Sequence, residues 1–468
     1  MRPSPFRKKF IGDKAFYKTA LSVALPIMIQ NGITQFVGLL DNLMVGRVDT
    51  VQMTGVAISN QLVFVFALAI FGAISGAGIY GAQFYGHGDH EGVRYAFRYK
   101  LLICGALLLF GCGIFLFFGE ELIRMYLKGE GEVENIEASL YHAIRYLDIV
   151  MIGLLPYVVA QCYAGTLREC GKTMLPMIAG VISVLVNLVW NAILIFGLLG
   201  FPALGSAGAA IATVIARFVE AGIIVVFAHR KKSGNTFLRG VYRSLYIPGK
   251  LFMQITGKTL PLLLNETLWA GGMAMLAQRY SLMHYDVVPA HNICSTVANV
   301  FNVAFLAMGT AIGIIVGQLL GANKLEEAKE TDRKLIVFSV SICFVIGGIM
   351  AVFSPLIPDL YNTTEDIRNL ATKMLLITAA VMPINSLANA CYFTMRSGGK
   401  TFVTFLFDSV YVWVFLIPLC WALQAFTALP IVPIFFICQF ADIGKGIIGL
   451  ILIHRGVWIQ NIVAKENP

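Results

Sequence analysis

Charged residues are scarce in this sequence. They make up 13% of the 468 positions, against about 25% in an ordinary soluble domain, whereas apolar residues make up 58%. The apolar stretches run for roughly 20 to 30 residues, long enough to cross a hydrocarbon core about 30 Å thick. A soluble helical protein would alternate apolar and charged faces along each helix, and these stretches do not. The composition therefore predicts an all-α membrane protein whose main partner is the lipid bilayer.

Motifs of several other function classes are also missing. The nine cysteines are odd in number and show neither CxxC nor Cys/His spacing, which predicts small buried hydrophobes and no metal site. Gly-Lys-Thr occurs three times, but the earlier glycine that a phosphate-binding loop needs is replaced by Thr166, Phe252 or Thr394. We therefore expect no ATP hydrolysis, no enzymatic activity and no cofactor, so that transport would have to use an ion gradient. No small-residue cleavage site follows the first apolar run, which predicts a retained helix rather than a signal peptide.

Twelve apolar segments are predicted to span the membrane, six on each side of the basic segment 229–250. The predicted spans are 16–42, 53–83, 94–119, 138–165, 174–198, 206–229, 252–280, 288–319, 332–355, 369–395, 401–425 and 430–454. We accordingly expect an N-lobe over 1–228, a cytoplasmic linker over 229–250 and a C-lobe over 251–468.

The positive charge lies in particular connectors. A formal charge of +9 could suggest a nucleic-acid partner, but the bases gather in alternate connectors, as the positive-inside rule describes. We therefore expect no nucleic-acid partner. Both termini and the 229–250 linker are predicted to be cytoplasmic in a multi-pass protein of the cell membrane. Bases at the helix ends that carry the Gly-Lys-Thr triplets are predicted to be cytoplasmic anchors at the lipid headgroups. Arg98, Lys100 and Arg168 are likewise expected on the cytoplasmic side.

Each half of the chain looks like a copy of one six-helix unit. Residues 83–86 (QFYG) and 318–321 (QLLG) end the second and eighth spans at an offset of 235, which also maps Pro26 onto Pro261. An offset of 228 matches 168–173 with 396–401, and one of 225 matches His229-Arg230 with His454-Arg455. Six is even, so the two units have the same orientation, as in transporters whose halves are related about the membrane normal.

Two acids inside the spans are the candidate ion-coupling residues. A charged side chain at the bilayer centre costs roughly 2.5–3.5 kcal/mol on insertion scales, so it usually faces a cavity or a partner. Asp41 lies near the end of the first span and Glu266 in the middle of the seventh, with no base within one helical turn of Glu266. We interpret both as carboxylates that bind and release H⁺ or Na⁺. The alternatives are an interfacial pair of Asp41 with Arg47, and a structural pair of Glu266 with a base on another helix.

Other polar residues in the spans have structural alternatives. Asn187 and Asn191 in the fifth span, and Asn385 and Asn389 in the tenth, are four residues apart and share a helix face. They either line a substrate cavity or bond neighbouring helices. Arg217 with Glu220, and Asp442 with Lys445, are three apart and are predicted to be structural pairs. Asp408 lies in the first two turns of the eleventh span and is interpreted as reaching the cytoplasmic interface.

Several segments resemble the multidrug and toxic compound extrusion (MATE) family over essentially the whole chain. DNLMVGR at 41–47 is similar to the family's first-helix signature, and residues 187–213 are similar to its fifth-to-sixth helix segment. MRSGGKT at 395–401 and HRGVWIQN at 454–461 are also typical of it. The resemblance implies a V-shaped bundle of two six-helix lobes around a central cavity, which exchanges organic cations for H⁺ or Na⁺ by alternating access.

Residue by residue, the resemblance supports some functional positions and not others. Asp41 matches the family's first-helix acid, and Glu266 matches the seventh-helix acid of its NorM-like branch. Asn385 stands where that branch often has an Asp of its cation site, which weakens the case for Na⁺. Asn191 stands where the DinF-like branch has an Asp, which weakens a proton relay confined to the N-lobe. The coupling ion stays open, with a preference for H⁺.

The sequence thus predicts a monomeric ion-coupled antiporter that exports small organic, cationic drugs or metabolites. Asp41 and Glu266 are its expected coupling residues, with Glu266 the position for Na⁺ if Na⁺ is the ion. One alternative is a flippase for lipid-linked precursors, which should line its cavity with bases to hold pyrophosphate, whereas the mid-span positions here are acids and amides. A second is a non-transporting receptor, which has no need of carboxylates inside the membrane.

Overall fold

The computed structural model describes residues 10–46, 49–127, 133–230, 234–284, 286–361 and 363–464. These ranges are almost entirely helical and contain no β-strand, which confirms the predicted all-α class. The helices are α1 Lys14–Gly46, α2 Thr50–His87, α3 His90–Leu127, α4 Val133–Ile152, α5 Leu154–Glu169, α6 Met174–Phe196, α7 Ser206–His229, α8 Gly249–Ser281, α9 Val287–Gly321, α10 Leu325–Phe353, α11 Glu365–Ser397, α12 Thr401–Phe426, α13 Ile431–Phe440 and α14 Ile443–His454.

Most of these helices suit a membrane by length and composition. In the described ranges, nine of them are long and apolar enough to cross one, and α13 and α14 taken together make ten. The count is eleven if the bent pair α4–α5 is one span. Helix α8 is not among them. Its 33 residues would reach about 50 Å at the rise of an α-helix, but it carries Asn265 and Glu266 in its middle. It corresponds to the seventh predicted span, and its low apolarity reflects the residues that make it a candidate site.

Three predicted spans differ in shape from simple helices. The fourth bends by 49° at Gly153, between α4 and α5. The twelfth is interrupted at residues 441–442, between α13 and α14. The eleventh, α12, contains two π-helical segments, Leu406–Val410 and Val412–Leu416. Such widened turns occur frequently at functional sites, and hydropathy alone does not indicate them.

By internal contacts the chain divides into two compact units. One unit consists of residues 1–28, 82–89 and 257–468, and the other of residues 29–81 and 90–256. The lobe boundaries expected from the sequence stay a prediction. Two short segments of the first half, residues 1–28 and 82–89, belong to the unit that contains residues 257–468.

The 229–250 segment packs as part of the second of these units. Phe237, Leu238 and Val241 are each about 1% exposed, and they lie in short 3₁₀ turns. Arg98 donates from Nε to the carbonyl oxygen of Val241 (2.9 Å) and from Nη1 to that of Tyr246 (3.1 Å). The described part of this basic segment is therefore folded onto its own unit rather than a simple tether.

Candidate functional site

Glu266 lies in the middle of α8, facing α11. Its Oε1 accepts a long hydrogen bond of 3.5 Å from the hydroxyl of Tyr392. Its side chain is partly exposed. Within the described ranges, no Lys, Arg or His nitrogen lies within 4.0 Å of its carboxylate. The closest described contact of the carboxylate is thus a neutral hydroxyl group, whereas Arg396 of α11 acts on it electrostatically from a greater distance, so the alternative of a structural pair stays open.

Asn265, the residue before Glu266, connects α8 to α11 and α12. Its Nδ2 donates to the hydroxyl of Tyr392 (3.3 Å) and to Oδ2 of Asp408 (3.2 Å). Its Oδ1 accepts from the amide nitrogen of Ser409 (3.3 Å) and from the Ser409 hydroxyl (2.7 Å). Two donors on the oxygen fix the orientation of the amide, so its NH₂ group faces Asp408. Asn265 is 1% exposed. It bonds Asp408 directly and is connected to the Glu266 carboxylate through the Tyr392 hydroxyl.

Asp408 forms the far end of this network, with a buried lysine as its counter-ion. The Nζ of Lys445 lies 3.0 Å from Oδ1 of Asp408 and 3.8 Å from Oδ1 of Asp442. The predicted pair of Asp442 with Lys445 is therefore present, but the closer contact is to Asp408. The interpretation of Asp408 as an interfacial residue stays a prediction, but its carboxylate contacts both Asn265 and Lys445 rather than solvent alone.

Local backbone irregularities bring these groups together. Asp408 and Ser409 lie in the first π-helical segment of α12, and Lys445 lies in the first turn of α14, after the interruption of its span. The hydroxyl of Tyr411 donates to the carbonyl oxygen of Ala441 (2.6 Å), in the turn between α13 and α14. The π-helical segment and the interrupted helix thus face one another.

Asn385 and Asn389 lie on the same face of α11 as Tyr392, because positions 385, 389 and 392 recur at helical spacing. The Oδ1 atom of each amide is buried, and no described donor lies within hydrogen-bonding distance of it. The oxygen of Asn389 points at Gly309, where a β-carbon would collide with it. Buried polar atoms normally have partners, so these two oxygens are acceptors that a ligand or water can use.

Asn187 and Asn191 lie in the other unit and are bonded to each other and to α7. Asn191 donates to Oδ1 of Asn187 (3.2 Å), and Asn187 donates to the hydroxyl of Thr213 (3.4 Å). Both are buried, at 7% and 1% exposure. For these two amides of the fifth span, the arrangement favours the alternative in which they bond neighbouring helices over the alternative in which they line a substrate cavity.

Buried charges also occur among the bases that the sequence places near the helix ends. Lys100 is fully buried and donates to Oε1 of Glu169 (2.7 Å) and to the hydroxyl of Thr166 (2.9 Å). Arg98 is buried as well, at 5% exposure. The repeat-equivalent of Thr166 is Thr394, whose hydroxyl donates to the buried carboxylate of Asp332 at 2.5 Å.

Sequence reasoning found Glu266 but not its surroundings. It missed Asn265, Tyr392 and the role of Asp408, although all three are polar positions inside predicted spans. Pairing them requires knowledge of which helices pack together, which spacing within one helix does not give. Asp41 lies in α1, and its side chain falls outside the described residues. No group of three or more His, Cys, Asp and Glu side chains that could hold a metal ion occurs in the part of the chain described.

Known proteins resemble this chain along nearly its whole length. The MatE family model matches residues 26–193 and 261–422. A probable multidrug resistance protein NorM of Thermotoga maritima is 24% identical over 456 residues, which cover 95% of this chain and 94% of the relative. A probable multidrug resistance protein YoeA of Bacillus subtilis is 25% identical over 419 residues and 87% of each chain.

Solved structures share the fold. A crystal structure of MATE in complex with MaL6 matches with a TM-score of 0.84 at 18% identity, covering 97% of this chain and 99% of that one. A mutant of the Vibrio cholerae MATE transporter VcmN gives a TM-score of 0.84 at 17% identity, over 95% and 97% of the chains. The match to the family model spans both repeats and includes the helices that carry Glu266, Tyr392 and Asp408. The protein therefore belongs to the MATE family of membrane transporters, as its sequence motifs predicted.

Proposed function

We propose that the protein is a multidrug exporter that exchanges organic cations for H⁺ or Na⁺ by alternating access. The observation that carries the proposal is Glu266, a carboxylate inside a membrane helix whose described contact is the Tyr392 hydroxyl rather than a base. A partly exposed carboxylate in a membrane helix has to face water or a cavity, because lipid does not solvate it. Such a group is free to hold a coupling ion or a substrate cation in turn.

The nature of the substrate follows from the groups near this carboxylate. Asn385 and Asn389 add buried carbonyl oxygens on the helix face that also carries Tyr392. Oxygen acceptors and a carboxylate suit a cation, whereas a pyrophosphate-bearing lipid precursor would need bases. The relatives named as multidrug resistance proteins support a small organic substrate of broad type.

The coupling ion, the location and the assembly belong to the same proposal. We propose H⁺ as the preferred ion and Na⁺ as its alternative, both acting at Glu266 and Asp41. The transporter would work as a monomer in the cell membrane, with both termini in the cytoplasm. No cofactor or catalytic step is part of this scheme.

The test is a flux assay in proteoliposomes with H⁺ and Na⁺ gradients imposed separately. Ethidium serves as the cationic probe, with an anionic dye of similar size as the matched control. We expect gradient-driven movement of ethidium with one of the two ions, and none of the anionic dye. Equal movement of both dyes, or movement independent of either gradient, would contradict cation-for-ion exchange.

A further inference from the structure

Lys445 has two carboxylates within reach and is closer to one of them. It is 6% exposed, and its Nζ lies 3.0 Å from Asp408 and 3.8 Å from Asp442. Oδ1 of Asp442 is buried and has no hydrogen-bond donor among the described residues. Rotation about the lysine side chain would carry the ammonium from Asp408 to Asp442 without moving a helix. The aromatic ring of Tyr411, 5.4 Å from Nζ, flanks this short path and favours a cation there.

The cluster around Asp408 has an excess of acids over bases. Its carboxylates are Glu266, Asp408 and Asp442, and the bases that act on them are Lys445 and Arg396. The phenols of Tyr392 and Tyr411, together with Tyr280 and the thiol of Cys438 beside Asp442, are its other titratable groups among the described residues. Three ionised carboxylates against two bases leave one negative charge. One small monovalent cation, a proton or a metal ion, would neutralise the cluster.

Asp408 is also connected to the proposed coupling residue. The Tyr392 hydroxyl contacts both Glu266 (3.5 Å) and the Nδ2 of Asn265 (3.3 Å), and the same Nδ2 contacts Asp408 (3.2 Å). Hydrogen bonds in a low-dielectric interior polarise one another. A change of charge at Glu266 therefore alters how well Asp408 is held, and the reverse is equally true.

We propose that Asp408 is a second coupling carboxylate for a small monovalent cation, H⁺ or Na⁺, and that Lys445 is its tethered competitor. Lys445 occupies Asp408 when the ion is absent and moves to Asp442 when the ion binds. This inference rests on the proposed exchange function and adds a second site to it. In a chain with Asn385 at the family's tenth-helix acid position, Asp408 supplies the second acid from α12 instead.

The first repeat shows that this site is not a packing requirement of the six-helix unit. At the repeat offsets, Gly180 stands in place of Asp408, Glu220 in place of Lys445 and Gln30 in place of Asn265. There Gln30 accepts from Nη2 of Arg168 (2.7 Å), and Gly180 leaves room for the Gln30 side chain. The same fold is thus built without a carboxylate at this position.

Equilibrium binding of ethidium to the purified full-length protein provides the test. Affinity is measured over a range of pH at constant low Na⁺, and over a range of Na⁺ at constant pH, which separates the two candidate ions. Linkage makes the slope of log Kd against pH, or against log[Na⁺], equal to the number of ions displaced. We expect Asp408→Asn to lower that slope by about one ion per ethidium relative to the unmodified protein.

Variants of the lysine separate competition from structural pairing. Lys445→Met removes the competitor for Asp408. The ion concentration at which ethidium affinity is half-changed should therefore fall by roughly tenfold, which is a rise of about one pH unit if the ion is H⁺. Lys445→Arg keeps the charge and should behave as the unmodified protein. Since Asp408→Asn leaves Lys445 without its nearer partner, the double variant Asp408→Asn/Lys445→Met tests the slope without an unpaired buried charge.

The matched control is the buried pair of Lys100 and Glu169, which lies in the other unit. The double variant Lys100→Met/Glu169→Gln removes an ion pair of similar burial and should leave slope and midpoint unchanged. An unmodified slope and midpoint in both Asp408→Asn and Lys445→Met would overturn the inference. If Glu266→Gln flattens the slope while Asp408→Asn does not, only this inference fails. If the unmodified protein shows no dependence on either ion, the proposed exchange function fails with it.

Discussion

Gly86 and Gly321 occupy equivalent positions in the two repeats, and each lies against the backbone near the other. A β-carbon at Gly86 would overlap the carbonyl oxygen of Gln318, and one at Gly321 would overlap that of Gln83. The ends of α2 and α9 therefore cross with their backbones in contact, inside the unit that contains residues 82–89 and 257–468. The repeated Gln-x-x-Gly motif of the sequence is thus explained by a close helix crossing.

We expect Gly86→Val and Gly321→Val each to destabilise the protein by about 1–3 kcal/mol, the usual cost of overpacking. The backbone carbonyl that each new side chain meets cannot rotate away. Thermal unfolding in detergent measures the effect. Gly105→Val is the control, since nothing lies within 4 Å of a β-carbon there. Unchanged melting temperatures for both crossing variants would show that the helix ends are further apart than described.

The buried pair of Lys100 and Glu169 gives a second stability prediction. Oε2 of Glu169 lies 2.5 Å from Nζ, and the carboxylate fits against Gly78 and Gly81, which leave it space. Removing one partner of a buried pair typically costs about 3–5 kcal/mol, whereas replacing both is often neutral. We expect Glu169→Gln to lower the melting temperature more than the double variant Lys100→Met/Glu169→Gln does. The reverse order would mean that the pair stabilises the protein beyond the cost of its burial.

Thiol labelling tests the predicted topology. In the described ranges the native cysteines are free, and all are buried except the half-buried Cys112. Burial raises the pKa of the Cys170 thiol, which lies just after α5. Maleimides react with the thiolate, so Cys170 should label only at higher pH than an exposed thiol.

In a Cys112→Ser background, Ser244→Cys adds an exposed thiol to the 229–250 segment. An impermeant maleimide should label it in inverted vesicles and not in intact cells. Thr427→Cys, in the short connector before the last span, is the control and should show the opposite pattern. Labelling of Ser244→Cys from outside intact cells would refute a cytoplasmic linker.

The sequence predicted the class, the repeats and the family because these depend on local or periodic signals. Apolar length predicts spans, and the constant offsets predict the two copies. It also singled out Glu266 as a candidate, since an acid inside an apolar run is visible without a structure. It could not predict that Asp408 turns inward, because this depends on the π-helical segment around it and on Asn265 in a distant helix. The burial of Arg98 and Lys100 could not be predicted for a related reason: their partners, Val241 and Glu169, lie far away in the sequence.

The four amides should separate into two behaviours. Asn191 donates to Asn187 four residues earlier on the same helix, so Asn191→Ala should reduce stability by roughly 0.2–0.5 kcal/mol, the usual range for such pairs. Asn385→Ala removes an oxygen without a described donor, so it should leave stability unchanged and weaken ethidium binding. Thermal unfolding and equilibrium binding on the same samples distinguish the two. If Asn191→Ala lost ethidium binding while its stability stayed unchanged, Asn191 would have the ligand-binding role and not the structural one.

The most decisive substitution is Glu266→Gln, which we expect to abolish gradient-driven export while leaving the protein folded. Moving one charge through the full membrane potential yields about 2.3 kcal/mol per 100 mV, and only a group whose occupancy differs between the two sides captures that energy. Gln has nearly the size of Glu and still accepts from the Tyr392 hydroxyl, but it cannot bind a proton or balance a cation's charge.

The flux assay in proteoliposomes, with melting temperature measured in parallel, separates coupling from folding. The matched control is Glu326→Gln, which makes the same change at an exposed ion pair with Lys329. That control should transport ethidium like the unmodified protein. Glu266→Gln should retain the melting temperature and lose the response to both H⁺ and Na⁺ gradients. Undiminished gradient-driven flux in Glu266→Gln would remove this carboxylate from the coupling mechanism and would leave Asp408 and Asp41 as the acids to test next.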